Sequence, residues 1–291
     1  MNRYNLNTTG HLEAHNNRLI LEGVSGLIIM SQKGVARLVC LDMDRVLVDH
    51  LSTWQFVYDN LGISNDESFE LYNQGLLDEW DWIKLDIALI KESRLPDQTP
   101  ISDSDLRASM EGMPMMKNWK PFIQGLLDNG YHVAIVSGGL QQTARDIAAQ
   151  FPSDNLWMRR WGGIDPHTAQ RFADGNDTRL HVFTNGWLLG KQMEDGNYEL
   201  DDFGRYQVQM DGKGSVVQML QRRLGVSKEN TASVGDSAGD IAMFEESGYP
   251  ICFNPWDDRP KAHASIVIEE KDLLPVGQLI EAYFNSVSSP S

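Results

Sequence analysis

Arg37-Leu38-Val39-Cys40-Leu41-Asp42-Met43-Asp44 runs from a short apolar segment directly into two carboxylates, and the rest of the chain reads outward from it. Five residues of this composition suit a buried parallel strand. Open α/β sheets bind ligands beyond the C-terminal ends of their strands. Residues two apart on a strand share a side, so Asp42 and Asp44 converge on one small volume. Like charges that close are costly unless a cation or a shared proton relieves them. One reading is a metal-dependent reaction with Asp42 or Asp44 in a covalent or proton-transfer role. The other is an ordinary turn or helix cap, for which acidic residues are also common.

Downstream, helical spacing takes over. Trp54, Val57, Tyr58 and Leu61 form one apolar stripe, and Trp80, Ile83, Ile87 and Ile90 form another. Ser102 to Asp105 followed by Leu106 reads as a capped helix start, and Pro96, Pro100 and Pro114 break up the region. Residues 50–116 therefore read as a helical insertion. Alternation of strand and helix then resumes. His132 to Ser137 is a strand, with a helix from about Gln141 to Gln150. Arg179 to Thr184 is another strand, and Trp187 to Met193 reads as a hairpin arm after the Asn185-Gly186 turn. Gly214 to Leu224 is helical, and Thr231 to Asp236 is a strand. A helix at about 239–247 follows, then strands Pro250–Phe253 and Ser265–Ile268. Such alternation implies a mostly parallel sheet between two helical layers, joined by right-handed crossovers.

Polar residues stand where four segments leave the sheet or enter a helix. Asp42 with Asp44 is the first. Ser137, before Gly138-Gly139, suits a phosphate cradle of hydroxyl and exposed amides or, equally, a helix N-cap. Lys213, between Gly212 and Gly214, has open access to an anion; a solvated surface lysine is the plain alternative. Asp236 and Asp240 lie in Gly235-Asp236-Ser237-Ala238-Gly239-Asp240. An aspartate there completes a hard-cation site of oxygen ligands or caps a helix.

In this order and combination, the four segments resemble the motifs of the haloacid dehalogenase-like (HAD) superfamily, and most closely its phosphoserine-phosphatase-like branch. Asp42 to Val48 is similar to the first motif, Val136 to Gly139 to the second, Gly212-Lys213-Gly214 to the third and Val234 to Asp240 to the fourth. The similarity continues through Ile241 to Phe244, Gly248 and Lys271-Asp272-Leu273. It implies an α/β fold: a three-layer, Rossmann-like parallel sheet with a small helical cap inserted after the first core strand. The expected division is an N-terminal extension at 1–34, a core at 35–49 and 117–291, and a cap at 50–116. The resemblance further implies a Mg²⁺-dependent phosphatase acting on a small phosphorylated metabolite through an aspartyl-phosphate. Asp42 would be the nucleophile and Asp44 the general acid and base. Ser137, the Gly138 amide and Lys213 would hold the phosphate. Asp42, the Asp44 carbonyl and Asp236 would hold Mg²⁺, with Asp240 orienting the metal's surroundings or Lys213.

Some positions depart from the branch. Arg45 and Val46 replace a small residue and a Thr or Ser. Arg45 either adds a cation near the leaving group or points into solvent. Gly239 stands where an asparagine is frequent. Leu51 occupies the place of a glutamate that receives the amino group of phosphoserine, so little or no turnover of phosphoserine is expected. Trp54, Trp80, Trp82, Lys84 and Arg94 are cap candidates for specificity, although aromatic stripes also build cores. Trp157 to Asp177, with Arg159, Arg160, Trp161 and His167, reads as a surface loop, a partner site or a pocket wall. Two rival functions share the fold: a phosphotransferase passing the phosphoryl group to an alcohol, and a non-catalytic phosphate-binding homologue. A haloalkanoate dehalogenase fits less well, because Lys213, Asp44 and Asp236 suit metal and phosphate.

Composition narrows the partners. A formal net charge of −16 disfavours nucleic acid and anionic membranes. No apolar run approaches the roughly 20 residues of a membrane span. Met1 to Ser31 lacks the marks of a signal peptide. Leu19 to Met30 reads either as an added strand or hairpin or as loose chain. Cys40 and Cys252, the two cysteines, sit in strand-like runs as buried thiols, which fits a reducing cytoplasm. A monomer or homodimer is expected.

Overall fold

The computed structural model describes residues 12–15, 18–21, 29–31, 35–151 and 179–288, so the segment around Trp157 to Asp177 lies outside the described residues. The chain divides into two units, Met1–Ala36 and Arg37–Ser291. In the first, Leu12–His15, Arg18–Leu21 and Ile29–Ser31 form an antiparallel three-stranded sheet.

The second unit is built on a six-stranded sheet. From one edge its strands are Ile266–Ile268, Tyr249–Phe253, Thr231–Gly235, Leu38–Leu41, His132–Leu140 and Leu180–Asn185, every pair parallel. Leu38 to Leu41 are all fully buried although they alternate between faces. Burial on both faces is why this strand reads as unbroken hydrophobicity. Each of its aliphatic side chains contributes about 1.5–3 kcal/mol by leaving water. Val39 and Leu41 join a cluster with Phe122, Ile123, Ala144, Ile147, Ile280 and Phe284. These come from helices Trp119–Asp128, Gln141–Ala149 and Leu273–Ser288. The helices Lys213–Leu224 and Ile241–Glu245 contribute buried Val217, Leu220, Met243 and Phe244.

Helices Thr53–Leu61, Asp66–Asn73, Glu79–Glu92 and Asp103–Ser109 follow the first core strand, in the same unit as the sheet. Ser102 and Asp105 form a reciprocal capping box, as their spacing implies. The cap does not make its apolar cluster alone: Val57, Tyr58, Ile83, Ile87 and Leu106 pack with Leu140, Trp187 and Leu200 from outside the segment. Leu200 comes from Tyr198–Leu200, the antiparallel partner of Leu189–Gln192. The arm read at Trp187 to Met193 thus pairs forward with residues the alternation did not mark.

One interaction in the frame carries a pH dependence. His132 Nδ1 and His181 Nε2 lie 3.2 Å apart, and burial, with His132 and Arg223 nearby, holds the His181 pKa down at about 3. An unfolded histidine titrates near 6.5, so between these values the unfolded chain binds more protons. The contribution of His181 is complete above about pH 6.5 and declines toward pH 3, by about 1–3 kcal/mol given the partly exposed residue. Urea unfolding from pH 7 to 4 should show a shallower decline in His181→Gln than in the parent.

Candidate active site

Register brings the polar segments together. Leu41 pairs with Val234 on one side and Ile135 on the other, so Asp42 lies within one residue of the level of Asp236 and Ser137 on the two adjacent strands' paths. The Asp42 amide donates to the Val234 carbonyl at 2.9 Å and extends the sheet into the site. Lys213 Nζ lies 3.0 Å from Asp42 Oδ1 and 2.6 Å from Asp240 Oδ1. Asp240 Oδ2 accepts from the Asp236 and Ser237 amides at 2.8 and 3.1 Å, so it braces the turn as well as the lysine. One carboxylate oxygen from each of Asp42, Asp236 and Asp240 lies within 4.8 Å of the others, and all three residues are buried.

Lys213 is the first residue of its helix and is 4% exposed, which excludes the solvated-lysine alternative. The glycine after it serves packing. A Cβ on Gly214 would lie 2.6 Å from the Ala242 carbonyl oxygen, so only glycine lets the two helices approach this closely.

Ser137 is not the helix N-cap. Its strand runs on to Leu140, the residue that precedes the helix, with a register break between Ser137 and Leu140. The hydroxyl accepts from the Gly139 amide at 3.1 Å and also reaches Asp42. The Gly138 carbonyl accepts from Trp54 Nε1 at 3.2 Å, so a cap side chain secures this loop. The other cap candidates have local partners. Trp82 stacks on Tyr72 at 4.5 Å, Lys84 pairs with Asp81 and lies over Trp80, and Arg94 donates to carbonyls of Lys91, Glu92 and Ser93.

Asp44 is held by a residue that periodicity did not mark. The Thr53 amide donates to Asp44 Oδ1 at 3.0 Å, its hydroxyl to Oδ2 at 3.5 Å, and that hydroxyl accepts from the Leu140 amide at 2.8 Å. The first residue of the first cap helix therefore joins Asp44 to the Ser137 loop. A Cβ on Gly139 would come within 2.6–2.8 Å of Met43 Cε, Asp44 Oδ2 and Thr53 Oγ1, so glycine is required there. A capping Ser52 just before Thr53 was the available signal. Arg45 does not point into solvent: it pairs with Asp236 through Nε at 2.9 Å.

The site holds more negative charge than its two cations balance. Burial, reinforced by Asp42, raises Asp44 to about 8; burial, with Asp42 and Asp240, raises Asp236 to about 9. Asp42 is also raised, by burial and by Asp240, against the pull of Lys213. Burial alone would lower Lys213, but Asp240 and Asp42 hold it above the ordinary lysine range. Hard carboxylate oxygens with surplus charge fit a small divalent cation. Among the described residues no helix is long and apolar enough to cross a membrane, and both cysteines are buried and free.

A parallel sheet with aspartates, serine and lysine gathered at one end, and helices inserted after its first strand, is the arrangement expected of haloacid dehalogenase-like hydrolases. The profile of that family matches residues 209–280. Beyond that segment the chain is similar to phosphoserine phosphatases. It is 27% identical to a phosphoserine phosphatase of Archaeoglobus fulgidus over 75% of this chain and 52% of that protein. It is also 27% identical to a phosphoserine phosphatase of Wolinella succinogenes, over 81% of this chain and 96% of that one. A substrate-bound phosphoserine phosphatase complex superposes with a TM-score of 0.61 at 20% identity, over 85% of this chain and 99% of that one, a likeness of fold. The chain spans about half the length of two of the curated relatives it matches.

Proposed function

We propose that this protein is a Mg²⁺-dependent phosphatase for a small phosphorylated metabolite, working through an aspartyl-phosphate on Asp42. The observation that carries this reading is the approach of buried Lys213 to both Asp42 and Asp240, with Asp236 alongside. An acidic cluster of this kind is costly for a protein that only folds.

Asp42 and Asp236, with the Asp44 carbonyl, would hold Mg²⁺, which supplies charge neutralisation for the bound phosphate. Ser137 and the Gly138 amide bind phosphate oxygens, and Lys213 stabilises the charge that builds on them. An Asp42 oxygen attacks phosphorus while the bond from phosphorus to the alcohol oxygen breaks. Asp44, whose pKa burial and Asp42 raise to about 8, gives its proton to the departing alkoxide. In the second half a water oxygen attacks phosphorus, its proton passes to Asp44, and the bond to Asp42 breaks. Phosphate leaves with both aspartates restored.

The test is release of phosphate from p-nitrophenyl phosphate and from a panel of phosphorylated metabolites, with Mg²⁺ and with EDTA. Turnover that disappears with EDTA and returns with Mg²⁺ is expected; metal-independent turnover, or none, overturns the reading. Within the panel, phosphoserine should be a poor substrate, since Leu51 offers no charge to its ammonium. Acceptor alcohols included in the assay should not draw off the phosphoryl group.

Thr53→Val should separate the role of Asp44 from general folding. A leaving group such as p-nitrophenolate needs little protonation, whereas an alkyl alkoxide needs it fully. The variant should lose on the order of 10–100-fold in kcat on an alkyl phosphate, with much less loss on p-nitrophenyl phosphate. Thr53→Ser should restore the alkyl activity.

A further inference from the structure

Arg45 and Asn254 are non-glycine residues at positive φ, 60° and 44°, in the first residues beyond two core strands. Such backbone persists only where surrounding contacts impose it, and it gathers at functional sites. Here the contacts are reciprocal. Arg45 Nη2 donates to the Asn254 carbonyl at 2.8 Å and to Asn254 Oδ1 at 3.3 Å, while Asn254 Nδ2 donates to the Arg45 carbonyl at 3.1 Å. The clasp points Arg45 Nε at Asp236 Oδ2, 2.9 Å away. Trp256 closes the other side: its ring lies 5.1 Å from the guanidinium, and its amide donates to the Asp236 carbonyl at 2.8 Å. The Arg45 side chain is 19% exposed and that of Asp236 is 5% exposed.

Two unfavourable backbone conformations and an aromatic wall therefore hold one cation against one carboxylate. That carboxylate shares the cluster with Asp42 and Asp240. A guanidinium on Oδ2 withdraws part of the donor strength of Asp236, and its fixed charge repels any second cation in a poorly screened site. We infer that Arg45 is a resident counter-cation that competes with the divalent ion for Asp236: it keeps the acidic cluster assembled before metal arrives and sets a weak affinity for Mg²⁺. This inference rests on the reading of the cluster as a Mg²⁺ site.

The test is calorimetric titration of MgCl₂ into the full-length protein without substrate, for the parent, Arg45→Met and Arg45→Gly. Arg45→Met keeps the stem against Trp256 and removes the charge. Arg45→Gly also relieves the positive φ, so it remains informative if the first variant folds poorly. Mg²⁺ should bind about tenfold more tightly to both variants, as removing a cation next to the divalent ion demands. The metal-free melting temperature of Arg45→Met should fall, and saturating Mg²⁺ should raise it by more than in the parent. Unchanged or weaker binding in both variants overturns the inference while leaving the Mg²⁺ site intact. If neither parent nor variants bind Mg²⁺, the metal reading fails and takes this inference with it.

Discussion

Asp42→Asn should abolish turnover and at the same time make the metal-free protein more stable. Its carboxylate is the proposed nucleophile, and an amide oxygen there neither attacks phosphorus nor carries the charge a metal requires. Loss of an essential nucleophile costs on the order of 10⁴-fold or more in kcat. Stability moves the other way. Asp42 contributes to the raised pKa values of both Asp44 and Asp236, and its own is raised by burial and Asp240. Replacing it with a neutral residue of the same shape relieves that repulsion, while Lys213 keeps Asp240 at 2.6 Å. A gain of about 1 kcal/mol without metal is expected, the usual sign when a functional charge cluster is dismantled. Urea unfolding in EDTA, beside a turnover assay in Mg²⁺, measures both. An inactive but less stable variant would mean that Asp42 is chiefly structural.

Lys213→Met should lose activity and stability together. Its ammonium is shared between Asp42 and Asp240 and is almost wholly buried. Methionine fills much of the volume, so the loss is one of charge. Two buried carboxylates then have no lysine between them, and breaking such a pair costs about 3–5 kcal/mol. Part of this returns at low pH, where Asp42, already raised by burial, takes up a proton, and part with bound Mg²⁺. Removing one donor to a developing charge costs on the order of 10²–10³-fold in kcat. Unfolding free energies at pH 5 and 8, with and without Mg²⁺, should therefore show the largest deficit at pH 8 in EDTA. A uniform deficit would indicate lost packing instead. The opposite stability signs of Asp42→Asn and Lys213→Met follow from one net negative cluster.

Asp42 and Asp236 were legible in the chain because each follows a strong local signal. Apolar runs mark the strands, and a polar residue at each run's end marks where the sheet stops. Ser102 and Asp105 announced their helix through capping chemistry, which acts over three residues. Thr53 was not legible in this way. Its partners, Asp44 and the Leu140 amide, are 9 and 87 residues away, and nothing local distinguishes it from the start of any helix. Arg45 looked like a departure from a pattern because Asn254 and Trp256 come into reach only when the sheet sets their strand two places from the one before Arg45.

The amino-acid sequence by itself determined the order of the core strands and marked Asp42 and Asp236 just beyond two of them and Lys213 at a helix start. Hydrophobic periodicity and capping are properties of neighbours in the chain. Only the tertiary structure decided which oxygen meets which cation. Lys213 bridges Asp42 and Asp240, Asp236 shares its charge with Arg45, and Thr53 ties Asp44 to the loop after Ser137. Such pairings depend on strand register and on distances of about 3 Å, and both are set by the packing of the whole sheet.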